Sequence, residues 1–101
     1  MAHADTVIEL IPNNVSVRLY PNEDEISLTR LEYQLMNLLY ENPSKGITYE
    51  EIYEEVWQTP YKDNKYRVAN LVFHLREKLE KAGGKPSIIR TVRSRGYMLD
   101  I

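Results

Sequence analysis

Residues 88–99 read IIRTVRSRGYML, and the fold turns on how this stretch is read. Arg90, Arg93 and Arg95 fall within six residues, between two runs with the composition of β-strands. Gly96 after Ser94-Arg95 is a turn signal, and Tyr97, Leu99 and Ile101 alternate with Met98 and Asp100 as in a half-buried strand. The stretch is therefore predicted to be a hairpin with positive charge at its tip. Taken alone, such arginines also fit the ordinary protection of a sheet edge.

The helices upstream decide between these readings. Thr29-x-x-Glu32 and Thr48-x-x-Glu51 are capping boxes, each placed before an apolar stripe of helical spacing. The first stripe is Leu31, Leu35, Leu38 and Leu39, closed by Asn42-Pro43; the second is Tyr49, Ile52, Tyr53, Val56 and Trp57. Glu50, Glu51, Glu54 and Glu55 are expected as a solvated face near the positive end of that second helix. A third helix is predicted from a cap at Asp63 or Asn64 to the stop at Gly83-Gly84, before Lys85-Pro86. Its core stripe is Val68, Leu71, Val72, Leu75 and Leu79, so Tyr66, Asn70 and Phe73 point away from the core, with Arg67 and His74 beside them.

Ahead of the helices, TVIEL and VSVRLY read as two strands, followed by a third at Glu25–Leu28. The turns between them are Pro12-Asn13-Asn14 and Pro21-Asn22-Glu23-Asp24. The predicted fold is α+β: an N-terminal antiparallel sheet, three helices and a C-terminal β-hairpin wing. Helices two and three form a helix-turn-helix. Residues 7–101 make one domain of this kind, and residues 1–6 are expected to be a disordered tail or an expression remnant.

Composition narrows the function. The 101-residue chain has 43% hydrophobic and 28% charged residues, as in a globular protein with one modest core. It has no cysteine, which excludes disulfides, thiolate metal sites and a cysteine nucleophile. Its two histidines, His3 and His74, are far apart in sequence, and no phosphate-cradling glycine loop is present. No enzyme, metal or cofactor is expected. No apolar run reaches membrane-span length and no secretory signal opens the chain, so a cytoplasmic location is expected. The net charge of −2 hides a division: residues 1–61 carry three Lys/Arg against eleven acids, whereas residues 62–101 carry ten against four. Such asymmetry points to a polyanion partner.

Four motifs in this order resemble the C-terminal winged-helix effector domain of OmpR/PhoB-type response regulators. They are Leu28-Thr29-x-x-Glu32-Tyr33-x-Leu35-Met36-x-x-Leu39, Ile47-Thr48-x-x-Glu51-Ile52-x-x-x-Val56-Trp57, Val68-x-x-x-Val72-x-x-Leu75-Arg76-x-Lys78-Leu79 and Ile89-x-Thr91-Val92-Arg93-x-x-Gly96-Tyr97-x-Leu99. The resemblance implies sequence-specific binding of double-stranded DNA and bacterial transcription control. The third helix would lie in the major groove and the wing at the minor groove.

Carried over by position, Arg76 and Thr91 would hold phosphates, with Trp57 buttressing a backbone contact. Arg93 would reach toward the minor groove, and Arg95 would add charge at the wing. Arg67, Asn70 and His74 would read bases, on a face that also carries Lys65, Tyr66 and Phe73. The loop Gln58–Asn64 matches the segment that can touch RNA polymerase in this family, whose members pair head to tail on DNA. Ser94 stands where the family's wing usually has glycine, so a different turn geometry is expected. Tyr66, Leu71, Phe73 and His74 replace positions that are usually basic or polar. The alternative is a winged-helix protein-interaction module that uses Phe73 and Tyr66 as an apolar patch. For His74 the alternative is a solvated helix residue.

Overall fold

A computed structural model describes residues 7–20, 24–85 and 88–100. The tail at residues 1–6, the turn residues Pro21, Asn22 and Glu23, Pro86 of the helix stop and Ile101 of the last strand lie outside them. Strands β1 (Val7–Ile11), β2 (Ser16–Tyr20) and β3 (Asp24–Ser27) form an antiparallel meander in the order β1-β2-β3. Its inner residues Ile8, Val17 and Leu19 are buried, while Arg18 on the outer face pairs with Glu9 and Glu25. Helices α1 (Arg30–Glu41), α2 (Tyr49–Trp57) and α3 (Lys65–Lys81) pack on one another, and all five residues of the predicted α3 core stripe are buried.

Both capping boxes are formed. Thr29 accepts from the Glu32 amide and Glu32 accepts from the Thr29 amide; Thr48 and Glu51 do the same for α2. Each satisfies two backbone N–H groups that the start of a helix leaves unpaired. Of the two predicted caps for α3, Asn64 is the one used, its side chain accepting from the Arg67 amide.

The wing is larger than a hairpin. Strands β5 (Ile89–Val92) and β6 (Gly96–Leu99) pair antiparallel, and a two-residue strand, β4 (Ile47–Thr48), adds to the other side of β6. The Ser44 amide donates to the Leu99 carbonyl and the Tyr49 amide to the Arg95 carbonyl, which lengthens that seam at both ends. Tyr49 is the first residue of α2, so the wing satisfies one of the helix's unpaired N–H groups. The sequence reading lacked β4, because two residues are too few to show alternation.

Ser94 stands in the turn between β5 and β6. It adopts φ 63°, the left-handed conformation a glycine would favour, inside a turn closed by the Arg95 amide on the Val92 carbonyl. The serine therefore carries the cost of a conformation that glycine adopts freely. Ser94→Gly is expected to raise stability by about 0.5–1 kcal/mol. Relief of the left-handed strain is partly offset by the greater freedom of glycine in the unfolded chain. The midpoint of urea unfolding reads the change.

Candidate nucleic-acid interface

The face of α3 opposite its core carries Tyr66, Asn70 and Phe73 at i, i+4 and i+7, an arc of about 60° at roughly 100° per residue. Tyr66 is 88% exposed and Phe73 57%. Glu77 continues the line one turn further on. Basic side chains flank this stripe on both sides, with Lys65 and Arg76 along one border and Arg67 along the other, where His74 also lies. Arg67 and His74, expected with Asn70 as base readers, lie three residues before it and four after it, about 60° and 40° around the helix on the same side.

The flanking cations rest on aromatic rings. The Lys65 ammonium lies 5.8 Å from the centre of the Tyr49 ring, and the Arg67 guanidinium 5.9 Å from that of Trp57. Trp57 in turn stacks on Tyr53 with centres 5.0 Å apart, and Arg67 Nη1 donates to the Tyr53 hydroxyl at 3.5 Å. Tyr49, Tyr53 and Trp57 recur every four residues along α2, so one helical face supplies this bed. The sequence reading gave Trp57 a buttressing role through the resemblance and placed Tyr49 and Tyr53 only in the apolar stripe. Their regular spacing beside a basic helix was the signal that could have shown a second use.

Arg76 is bound into the structure. Its Nε and Nη2 donate to the Ile89 carbonyl at 3.0 and 2.6 Å, Nη2 also donates to Thr91 Oγ1 at 3.0 Å, and the guanidinium lies 5.5 Å from the centre of the Tyr97 ring. Arg76 therefore ties α3 to the wing, with the two hydrogens of Nη1 left for a further acceptor. Thr91 accepts this bond and keeps its own hydroxyl proton for donation. Tyr97 is buried at that junction. Desolvation, then the hydrogen bond and negative potential of Tyr49, push its phenol up to about 12, partly opposed by Arg76, so it stays a proton donor at neutral pH.

At the tip, Arg93 and Arg95 are exposed and form no ion pair among the described residues, whereas Arg90 lies 3.9 Å from Asp100. Ser94 and Arg95 face Tyr49, Asp63 and Lys65 across an open cleft of about 270 Å³. His74 Nδ1 is 3.6 Å from Glu77, and its ring meets the edge of Phe73 with centres 5.5 Å apart. The loop from Gln58 to Asn64 is longer than a tight helix-turn-helix turn. It is tied back where the Tyr61 amide donates to Glu54 at 3.2 Å and the Tyr61 ring meets Tyr53 edge-on. Glu54, expected as simply solvated, thus braces this loop. No group of three or more metal-ligating side chains occurs among the described residues. None of the described helices is long and apolar enough to cross a membrane.

Comparison with known proteins identifies the family. The family model described as "Transcriptional regulatory protein, C terminal" matches residues 23–99. Response regulator MprA of Mycobacterium sp. (strain KMS) is 35% identical over 94 residues, which is 93% of this chain and 40% of that protein. The uncharacterized transcriptional regulatory protein YcbL of Bacillus subtilis (strain 168) is 38% identical over 87 residues, covering 86% of this chain and 38% of that protein. The chain thus spans about two fifths of the length of these curated relatives. Among solved structures, the DNA-binding domain of response regulator AdeR, in complex with an intercistronic region, superposes with a TM-score of 0.81 at 28% identity, covering 93% of this chain and 94% of that one.

Proposed function

The chain belongs to the C-terminal family of transcriptional regulatory proteins, and from that premise we propose that it is the sequence-specific DNA-binding effector domain of a bacterial two-component-type regulator. One observation carries the reading. The outward face of α3 carries the uncharged Tyr66, Asn70 and Phe73 along its middle, ahead of Glu77, and the cations Lys65, Arg67 and Arg76 along its borders, with two arginines at the wing tip that form no ion pair among the described residues. That is the charge layout for a helix whose centre meets base edges and whose borders meet the phosphates on either side. Lys65, Arg67, Thr91 and the free end of Arg76 hold the backbone, Trp57 supports Arg67, and Arg93 and Arg95 enter or line the minor groove. His74 sits on the same border as Arg67. The family is one of transcription regulators, which is not a class of enzymes.

The finer parts of the proposal concern partners. The braced loop Gln58–Asn64 offers a surface to RNA polymerase. The acidic residues 1–61 of one copy face the basic residues 62–101 of the next in a head-to-tail pair on DNA. A DNA-bound regulator of this kind works in the cytoplasm.

Duplex titration at several salt concentrations tests the reading. Binding of about 3–5 phosphates per copy gives a log–log salt slope near −3 to −5. Arg93→Ala is expected to weaken binding to every duplex and flatten the slope by about one unit. Asn70→Ala is expected to cost about 1–3 kcal/mol on the selected site and little on scrambled DNA. A slope of zero would remove DNA as the partner. It would favour the second reading, a protein-binding module, for which the exposure of Tyr66 and Phe73 speaks.

A further inference from the structure

We propose that Phe73 and Tyr66 determine the DNA specificity of this domain by packing against the C5-methyl groups of thymine, on either side of an adenine read by Asn70. The proposal rests on the DNA-binding reading above and specifies what that face recognises.

The argument begins with what the stripe lacks. Guanine is most often recognised by a bidentate arginine or lysine on its O6 and N7. The stripe opposite the core has neither residue. The nearest arginines are committed elsewhere, Arg67 to Tyr53 and Trp57, and Arg76 to Ile89, Thr91 and Tyr97. Glu77 further along can only accept, so it cannot pair with the acceptors O6 and N7 of guanine.

What the stripe has is two large rings with an amide between them. Asn70 can both donate and accept, the pattern adenine presents at N6 and N7. A Phe ring in the major groove finds one apolar feature there, the thymine methyl. Phe73 keeps this position while 57% exposed, its ring steeply inclined to the His74 ring rather than folded onto the core. Tyr66, two turns earlier and 88% exposed, presents a ring to the same line. A methyl group that covers either ring removes apolar surface from water, which supplies base discrimination without a hydrogen bond. Thymine and adenine alternate across the strands of A·T-rich steps, so all three side chains favour the same kind of site.

The test uses replacement of thymine by uracil, which deletes the methyl and leaves base pairing intact. A site is first selected from random duplexes at fixed salt. The selected duplex, its uracil analogue and a scrambled duplex are then titrated with the wild type, Phe73→Ala and Tyr66→Ala. Both side chains are exposed, and circular dichroism checks that each variant is folded. The expected result is an A·T-rich centre and a loss of about three- to fourfold per methyl on uracil substitution for the wild type. Phe73→Ala, already weakened on the thymine site, should lose nothing further when the methyl it covers is removed. A guanine-rich centre, or a wild type indifferent to uracil, overturns the proposal while leaving DNA binding intact. Equal uracil losses in the wild type and both variants also overturn it, because the methyls would then be read by other groups. Failure to bind any duplex at low salt overturns the DNA reading itself and this proposal with it.

Discussion

Gly96→Ala is expected to cost about 3 kcal/mol or more and to detach the wing from α2. A Cβ built on Gly96 lies 1.8 Å from the Ile47 carbonyl oxygen, 2.8 Å from its carbon and 2.9 Å from Thr48 Cα. All three are backbone atoms of β4, so no side chain can rotate away to make room. β4 must separate from β6, and its hydrogen bonds are lost along with the Tyr49–Arg95 bond at the start of α2. Overpacking usually costs about 1–3 kcal/mol, and each broken hydrogen bond adds roughly 0.5–1.5. For a domain of this size, 3 kcal/mol lowers the melting temperature by about 12–24 °C. Gly46→Ala, at the residue just before β4, is the control. Its nearest contact is the Val92 side chain at 3.4 Å, so a small effect is expected. Equal melting temperatures for the two variants would contradict this account.

Glu32→Ala is expected to cost about 2–3 kcal/mol. Glu32 is a buried charged residue, 4% exposed, and its Oε1 receives both the Thr29 amide at 2.8 Å and Lys78 Nζ at 2.6 Å. One carboxylate thus caps α1 and ties it to α3. Desolvation is the largest single influence on its pKa and pushes it up. The Lys78 hydrogen bond, the Thr29 amide and the Lys78 charge together outweigh it, and the pKa falls below the usual 4.5. Removing one partner of a fully buried pair costs about 3–5 kcal/mol; Lys78 stays about one third exposed and regains water, which reduces the figure here. Because the folded pKa is depressed, this stabilisation is present in full above the unfolded value. It is lost as pH falls through the folded one. Glu32→Gln should therefore flatten the decline in stability below about pH 4.5. Urea unfolding at a series of pH values would show a parallel decline in both proteins if the account were wrong.

Most of the fold was legible in the chain because its signals are local. The two capping boxes lie within four residues of each helix start, and the α3 stripe repeats over about three turns, so helix ends and buried face both follow from neighbours in sequence. Asn70, Tyr66 and Phe73 were located on the outward face for the same reason. What escaped depends on partners distant in sequence. β4 is a strand only because β6 lies beside it, and Arg76 is an internal tie only because Ile89 and Thr91 arrive from the wing. The bed under Arg67 needs α2 to be placed against the start of α3. Periodicity finds a face; it does not say which side chain from another element will occupy it.

The seam between β4 and β6 bears on how the domain is made. The N-terminal meander pairs near neighbours and can form as soon as residues 7–27 are synthesised. Ile47 pairs with Tyr97, about fifty residues later, with α2 and α3 wholly inside that interval. Closing so large a loop carries an entropic cost that smaller hairpins avoid, and contacts so far apart slow folding. On the ribosome, Ile47, Thr48 and the first amide of α2 wait unpaired until Gly96 and Tyr97 have emerged. The helix-turn-helix is therefore translated before the strand that secures its second helix, and a chain halted before residue 96 would present α2 without its β6 support to proteases and chaperones.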